Sequence, residues 1–352
     1  MDHATPHPHH TLTANHRHRP TERSATVLIG TDEIRQAATT IAGHVVRTPT
    51  VPSPGLSDLL GVPVTTKLEL LQRTGSFKAR GATAKLLALT PAERAAGVVA
   101  VSGGNHGIAL AHMAAALHVK ATVVMARSAP RRAIDLVEAA GASLRLTDGM
   151  AEAFALTERL REEGLTLVHP FDDPLVIAGQ GTVGLEFVED TGAADGPGAL
   201  TDVLVSIGGG GLIAGVAAVF EALRPGVRVW GVETVGATAM TEALAAGGPV
   251  TVPLSSVVST LSAPSASRLT YDHVTAFVED VLVVPDAEAV QGVLDFAEHA
   301  KVWTEPAAGC LLPAARQVRE RVGDGARLGL VVCGGNATTA DITDWARRFG
   351  LR

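Results

Sequence analysis

From residue 31 onward the chain alternates short apolar runs with helical patterns. The runs are Val98–Val101, Ala121–Met125, Leu165–Val168, Val203–Ile207, Val227–Val232, Val281–Val284 and Leu328–Val332. Between them, apolar residues recur three and four positions apart near Ile108–Leu117, Ala133–Ala140, Ala151–Glu163, Leu212–Leu223, Ala287–His299, Leu311–Val322 and Thr338–Phe349. Strands that are mostly apolar, separated by helices, belong to parallel sheets buried on both faces. The pattern predicts an α/β fold of two subdomains, each a mainly parallel twisted sheet flanked by helices. Ahead of it, Thr31 is placed to cap a helix carrying Ile34, Ala37, Ala38, Ile41 and Val45 on one face. Pro49–Gly61 reads as a loop, Val64–Leu70 as a strand and Asp190–Gly198 as a surface loop.

Composition narrows the classes. A length of 352 residues favours two subdomains over one core. Hydrophobic residues make up 46% and charged residues 18%, which suits a soluble globular protein. No run reaches the length of a membrane span. A net charge of −7 and 3% aromatics speak against nucleic acid as a partner. Cys310 and Cys333 are too few for a disulfide framework, so a reducing cytoplasm is expected. Residues 1–28 are rich in histidine (His3, His7, His9, His10, His16, His18) and read as a disordered tail, where a loose metal-binding role stays open.

Three glycine-rich turns follow predicted strands: Ser102-Gly103-Gly104-Asn105-His106-Gly107, Gly208-Gly209-Gly210-Gly211-Leu212, and Cys333-Gly334-Gly335-Asn336. In open parallel sheets, ligands bind at the carboxyl ends of strands. Four successive glycines let backbone amides approach an anion closely, and the helix that begins near Leu212 adds its positive end, so a phosphate is expected there. The turn lacks both the Gly-Lys-Ser/Thr of a P-loop and the G-x-G-x-x-G dinucleotide fingerprint. Asn105 suits a hydrogen bond to a ring hydroxyl or caps its own turn. Cys333 has no histidine near in sequence to activate it as a nucleophile. Lys78 sits among small and hydroxyl residues in Thr74-Gly75-Ser76-Phe77-Lys78-Ala79-Arg80-Gly81-Ala82. Alone, this stretch fits either a desolvated amine of lowered pKa or a solvated lysine opening a helix.

Taken together, these segments resemble the fold-type II (tryptophan synthase β-like) pyridoxal phosphate enzymes, within them the serine/threonine dehydratases and serine racemase. Further matching segments are His169-Pro170-Phe171-Asp172-Asp173, Ile177-Ala178-Gly179-Gln180-Gly181-Thr182 and Glu305-Pro306-Ala307-Ala308, all in family order from about residue 31 to the C-terminus. The resemblance implies pyridoxal 5'-phosphate as cofactor, with Lys78 as Schiff-base lysine and Cα acid/base. It places Phe77 beside the ring, Asn105 on the ring oxygen, Gly208, Gly209, Gly210, Gly211 and Leu212 around the phosphate, and Cys333 by the pyridine nitrogen. Glu305 lies near the cofactor, with a less settled role. Ser76, Ser102, Gly103, Gly104, Asn105 and His106 fall to the substrate. It also implies a large domain of residues 29–95 and 173–352, a small mobile domain of residues 96–172, and a homodimer.

The implied reaction is β-elimination from a 3-hydroxy amino acid such as L-threonine or L-serine, giving a 2-oxo acid and ammonia. Gly103 stands where serine racemase carries a second acid/base serine, which favours elimination over racemisation. Glu233 matches the start of a cation site in several relatives, but Ala239 replaces a later carboxylate, so no metal is expected. Ser262-Ala263-Pro264 replaces a common Ala-Asp-Gly segment near the substrate, which leaves the substrate side chain open. Competing expectations are a racemase or β-replacement enzyme of the same fold, a bulkier 3-hydroxy amino acid as the substrate, a ligand-binding paralogue without activity, and a metal sensor using the histidine tail.

Overall fold

The computed structural model describes residues 27–192, 196 and 199–351. The histidine-rich tail lies, but for residues 27 and 28, outside the described residues, as do five positions of the expected loop at Asp190–Gly198. The described residues form ten strands: β1 (Thr50–Pro52), β2 (Val64–Lys67), β3 (Val98–Val101), β4 (Ala121–Ala126), β5 (Ser143–Thr147), β6 (Thr166–Leu167), β7 (Asp202–Ser206), β8 (Arg228–Thr234), β9 (Asp280–Val284) and β10 (Leu328–Val331). They make a six-stranded sheet of order β1-β2-β10-β7-β8-β9 and a four-stranded sheet of order β5-β4-β3-β6. The smaller sheet is wholly parallel. The larger is parallel except at its edge, where β1 runs antiparallel to β2.

The apolar runs became strands because both of their faces are covered. Val203, Leu204 and Val205 in β7, and Leu328, Leu330 and Val331 in β10, are fully buried. Four sequence expectations need correction, one being the strand expected at Val64–Leu70, which ends at Lys67 before a 3-10 turn at Glu69–Leu71. Pro49–Gly61 is not a loop: it supplies β1 and the helix Pro54–Leu60, whose Leu56 and Leu60, one turn apart, are buried while Gly61 closes the helix at φ +71°. Gly30 rather than Thr31 stands at the N-cap of the first helix, its amide donating to the Glu33 carboxylate at 3.0 Å. Val45 lies beyond the end of that helix.

The helix Pro174–Asp190 gave no periodic signal. It is apolar nearly all round and buried on most faces, so there is no polar stripe to read. Its glycines allow backbone to meet backbone. A Cβ on Gly179 would stand 2.7 Å from Gly81 Cα, and one on Gly215 would stand 2.6 Å from Gly181 Cα. This close approach seats the helix Lys78–Leu87. That helix also shares a core with the smaller sheet, where Ala79 and Leu86 join Val98, Ala100 and Leu110. It therefore sits on the seam between the two sheets, and Lys78 is its first residue.

Candidate active site

The segment leading to Lys78 crosses the carboxyl end of β10. Gly75 turns at φ +72°. Phe77 N donates to Cys333 O at 3.0 Å, Gly335 N donates to Gly75 O at 2.9 Å, and Ser76 pairs with Gly334 as an isolated antiparallel bridge. These bonds bring Lys78 and Cys333 together from 255 positions apart in sequence. Lys78 is half-buried. Its Nζ donates to Pro170 O at 2.9 Å and lies 5.1 Å from the Phe77 ring centroid. Burial pushes the amine down to about 8. The amine is thus half-buried and hydrogen-bonded at the start of its helix.

Two residues on, Arg80 is fully buried and holds the helix in place. Its guanidinium donates to Glu69 at 2.8 and 2.7 Å, to Glu186 at 2.7 and 2.8 Å, and to Thr182 Oγ1 at 3.1 Å. Lys67 Nζ donates to the same Glu186 at 2.7 Å. The two carboxylates hold the guanidinium charged against the cost of its burial.

A cleft with about 470 Å³ of empty space, its open mouth included, lies beside Lys78. Every residue expected at the cofactor lines it: Phe77, Lys78, Asn105, Gly208, Gly209, Gly210, Gly211, Leu212, Glu305 and Cys333. Phe171, Ser206, Thr260, Leu261 and Ala307 complete the wall. The sequence alone assigned these five no role, though all of them stand within or beside segments that it singled out.

The glycine turn between β7 and the helix Gly211–Leu223 has a steric reason at two positions. A Cβ on Gly209 would stand 2.1 Å from the Phe171 ring, and Gly210 adopts φ +92° against Thr270. Among the described residues, the amides of Gly208, Gly209 and Gly210 find no protein acceptor. Beside them lies the positive end of the helix. The turn is thus a set of unspent donors suited to an anion.

Asn105 begins the helix after β3. Its Nδ2 donates to Glu305 Oε1 at 2.7 Å, and its Oδ1 accepts from Asn336 Nδ2 at 2.8 Å. Glu305 is buried, which pushes its carboxyl up to about 7 despite the Asn105 bond. Burial likewise holds the Cys333 thiol well above its ordinary range, and the nearby Glu305 charge adds to this. Cys333 is therefore a neutral thiol, with its Sγ 4.0 Å from Ser206 Oγ.

The residues expected at the substrate divide. Gly103, Gly104 and Asn105 line a second cavity that adjoins the first. Ser102 Oγ accepts from Gly104 N at 3.2 Å within the turn. The His106 ring turns inward to Val168 O at 2.8 Å, with Nδ1 unpartnered, and burial drives its pKa down to about 3. Ser76 is buried with its Oγ unpartnered and lines neither cavity. Glu233 accepts from Met240 N at 2.8 Å, Thr241 N at 2.9 Å and Thr241 Oγ1 at 2.7 Å, so its oxygens are spent at the start of the helix Ala239–Ala246.

Residues 41–334 match the family described as pyridoxal-phosphate dependent enzyme. A putative threonine dehydratase of Sinorhizobium fredii is 39% identical over 313 residues, covering 87% of this chain and 91% of its own length. The phenylserine dehydratase of Ralstonia pickettii is 38% identical over 293 residues, covering 83% and 87%. Among solved structures, maize serine racemase superposes with a TM-score of 0.83 at 32% identity, covering 92% of this chain and 98% of its own.

Proposed function

Because this chain belongs to the pyridoxal-phosphate-dependent enzymes, we propose that it deaminates a 3-hydroxy amino acid by β-elimination, giving a 2-oxo acid and ammonia. One observation carries the reading. Among the described residues, Lys78 is the only basic side chain lining the first cleft, while Gly103, in the turn that bears Asn105, carries no side chain. One acid/base at Cα serves elimination, whereas racemisation needs a proton donor on each face.

The cleft fits the cofactor. The unspent amides of Gly208, Gly209 and Gly210 and the start of the next helix would hold the phosphate, with Leu212 closing that end. Phe77 would flank the ring, Asn105 would hydrogen-bond its hydroxyl oxygen, and Cys333 would stand by its nitrogen. When bound, pyridoxal phosphate supplies a carbonyl carbon for an amine and a conjugated ring that draws electrons from Cα.

The chain's own residues do the rest. An amine near pKa 8 is available as a base at neutral pH and slightly above, so Lys78 takes the Cα proton and can return it to a leaving group. Because the Cys333 thiol is neutral, it offers no counter-charge to a protonated ring nitrogen. A ring bound there would draw less of the charge that develops at Cα, which would favour prompt loss of the β-hydroxyl. The start of the helix Asn105–Ala116 receives the substrate carboxylate. Elimination releases one water and hydrolysis takes one back, so substrate becomes 2-oxo acid plus ammonia.

Incubating the holoenzyme with L-threonine and L-serine tests this. A 2-oxo acid and an equal amount of ammonia are expected. D-serine as the chief product from L-serine would overturn the reading in favour of racemisation.

A further inference from the structure

The second cavity holds about 620 Å³ of empty space, open mouth included, and meets the first along Asn105, Thr260 and Glu305. Its walls come from both sides of the seam. Ile108 and Ala133 belong to the helices of the smaller sheet, Val258 and Ala337 to the larger side, and Trp345 to the last helix. Ile108, Ala133, Val258 and Ala337 are each less than a tenth exposed, and Trp345 is half-buried against Ala337 and Ile342.

The carboxylates on this wall are already engaged. Asp341 Oδ2 accepts from Thr338 N at 2.8 Å and Thr338 Oγ1 at 2.6 Å, capping its own helix. Glu305 is bonded to Asn105. The exposed Arg132 is the remaining charged side chain among the lining residues. Gly103 and Gly104 keep the passage beside the turn free of side chains. A Cβ on Gly103 would already stand 3.3 Å from Ala129 Cβ.

A methyl group would leave most of such a chamber wet, with its apolar walls facing water. A flat ring covers those walls and meets the edge or face of Trp345. We propose that this chamber receives an aryl group on the substrate's Cβ, so that 3-aryl-3-hydroxy amino acids, 3-phenylserine being the simplest, are preferred over threonine and serine. The assignment rests on the elimination reading for the reaction but not for the binding. The products are the corresponding 3-aryl-2-oxo acid and ammonia.

Two measurements on the holoenzyme test it. The first compares kcat/KM for L-threo-3-phenylserine and L-threonine by 2-oxo acid formation. A preference of about tenfold or more for the aryl substrate is expected from the extra apolar area buried. Trp345→Ala is expected to reduce that preference about fivefold or more, and Trp345→Phe to keep most of it. Equal or greater efficiency with threonine overturns the assignment. The second compares dissociation constants for L-phenylalanine and L-alanine, which carry no leaving group on Cβ, by calorimetry. Phenylalanine is expected to bind about tenfold more tightly. If threonine is deaminated yet phenylalanine binds no better than alanine, the aryl chamber is wrong and elimination stands. If no 3-hydroxy amino acid yields a 2-oxo acid yet phenylalanine binds more tightly, elimination is wrong and the chamber stands. The ligand pair needs no variant, so a Trp345→Ala protein that does not fold leaves the test intact.

Discussion

Asn105 Nδ2 donates to Glu305 Oε1 over 2.7 Å, and this bond crosses the seam between the two sheets. Asn105 follows β3 of the smaller sheet, while Glu305 opens the helix Pro306–Gly309 beside the larger. Asn336 clamps the other end of the Asn105 amide. The pair forms the shared rim of both cavities, so a substrate spanning them must pass it.

Glu305 should make stability fall as pH rises. Its carboxyl is raised from the ordinary 4.5 to about 7, chiefly by burial. The folded state therefore holds the proton more tightly than the unfolded state does. The stability this contributes is present below the unfolded pKa and is lost as pH rises to the folded one. Glu305→Gln removes the ionisation while keeping an acceptor for Asn105. In cofactor-free protein, the Tm of the variant relative to wild type should rise between about pH 5 and about pH 8.

Lys78→Ala should abolish the visible absorption of the holoenzyme and lower turnover by a factor on the order of 10³, since it removes both the amine and the Cα base. Absorption spectra and 2-oxo acid release check this together. Retained turnover would refute the assignment.

Gly209→Ala should weaken cofactor binding more than tenfold, roughly, because its methyl would collide with the Phe171 ring at the anion turn. Spectrophotometric titration of cofactor-free protein with pyridoxal phosphate reads the loss.

Arg80→Ala leaves the Glu69 carboxylate buried without a cationic partner and the half-buried Glu186 with Lys67 alone. The expected destabilisation is about 3–5 kcal/mol, measured by urea unfolding. Arg80→Lys should recover only part of it, because a single ammonium cannot bridge both carboxylates in the same planar fork.

A chelator should leave turnover as it was. Among the described residues, no group of three or more His, Cys, Asp and Glu side chains is disposed to hold a metal. Glu233, the residue expected to begin a cation site, gives its oxygens to Met240 and Thr241. Turnover before and after exhaustive EDTA dialysis is the measurement.

Some of this was legible from local chemistry. Apolar runs such as Val98–Val101 between helical patterns read as buried strands, and four glycines after a strand read as a turn of close backbone approach, so β3 and the glycine turn stood out in sequence. Helices without a polar face did not. Pro174–Asp190 is buried on most sides, and its partner faces become visible only when Gly179 meets Gly81 and Gly181 meets Gly215. Pro49–Gly61 misled because its prolines, serines and glycines mark the ends of a short strand and a short helix as readily as they mark a loop.

The sequence by itself determined the chemistry on offer: a lysine among small and hydroxyl residues, a run of glycines, and an asparagine and a cysteine after strands. Side-chain type and local spacing are enough for that. Tertiary structure alone decided which groups meet and in what state. The bond from Phe77 to Cys333 brings the lysine to the thiol, and burial at the seam brings the Lys78 amine to about 8 and the Glu305 carboxyl to about 7. The last helix packs on the helix Asp286–Asp295 through Ile342 and Val293, and so faces the turn after β3 across the chamber walled by Ile108, Val258 and Trp345. Desolvation and shape depend on neighbours far apart in the chain, and no local pattern encodes them.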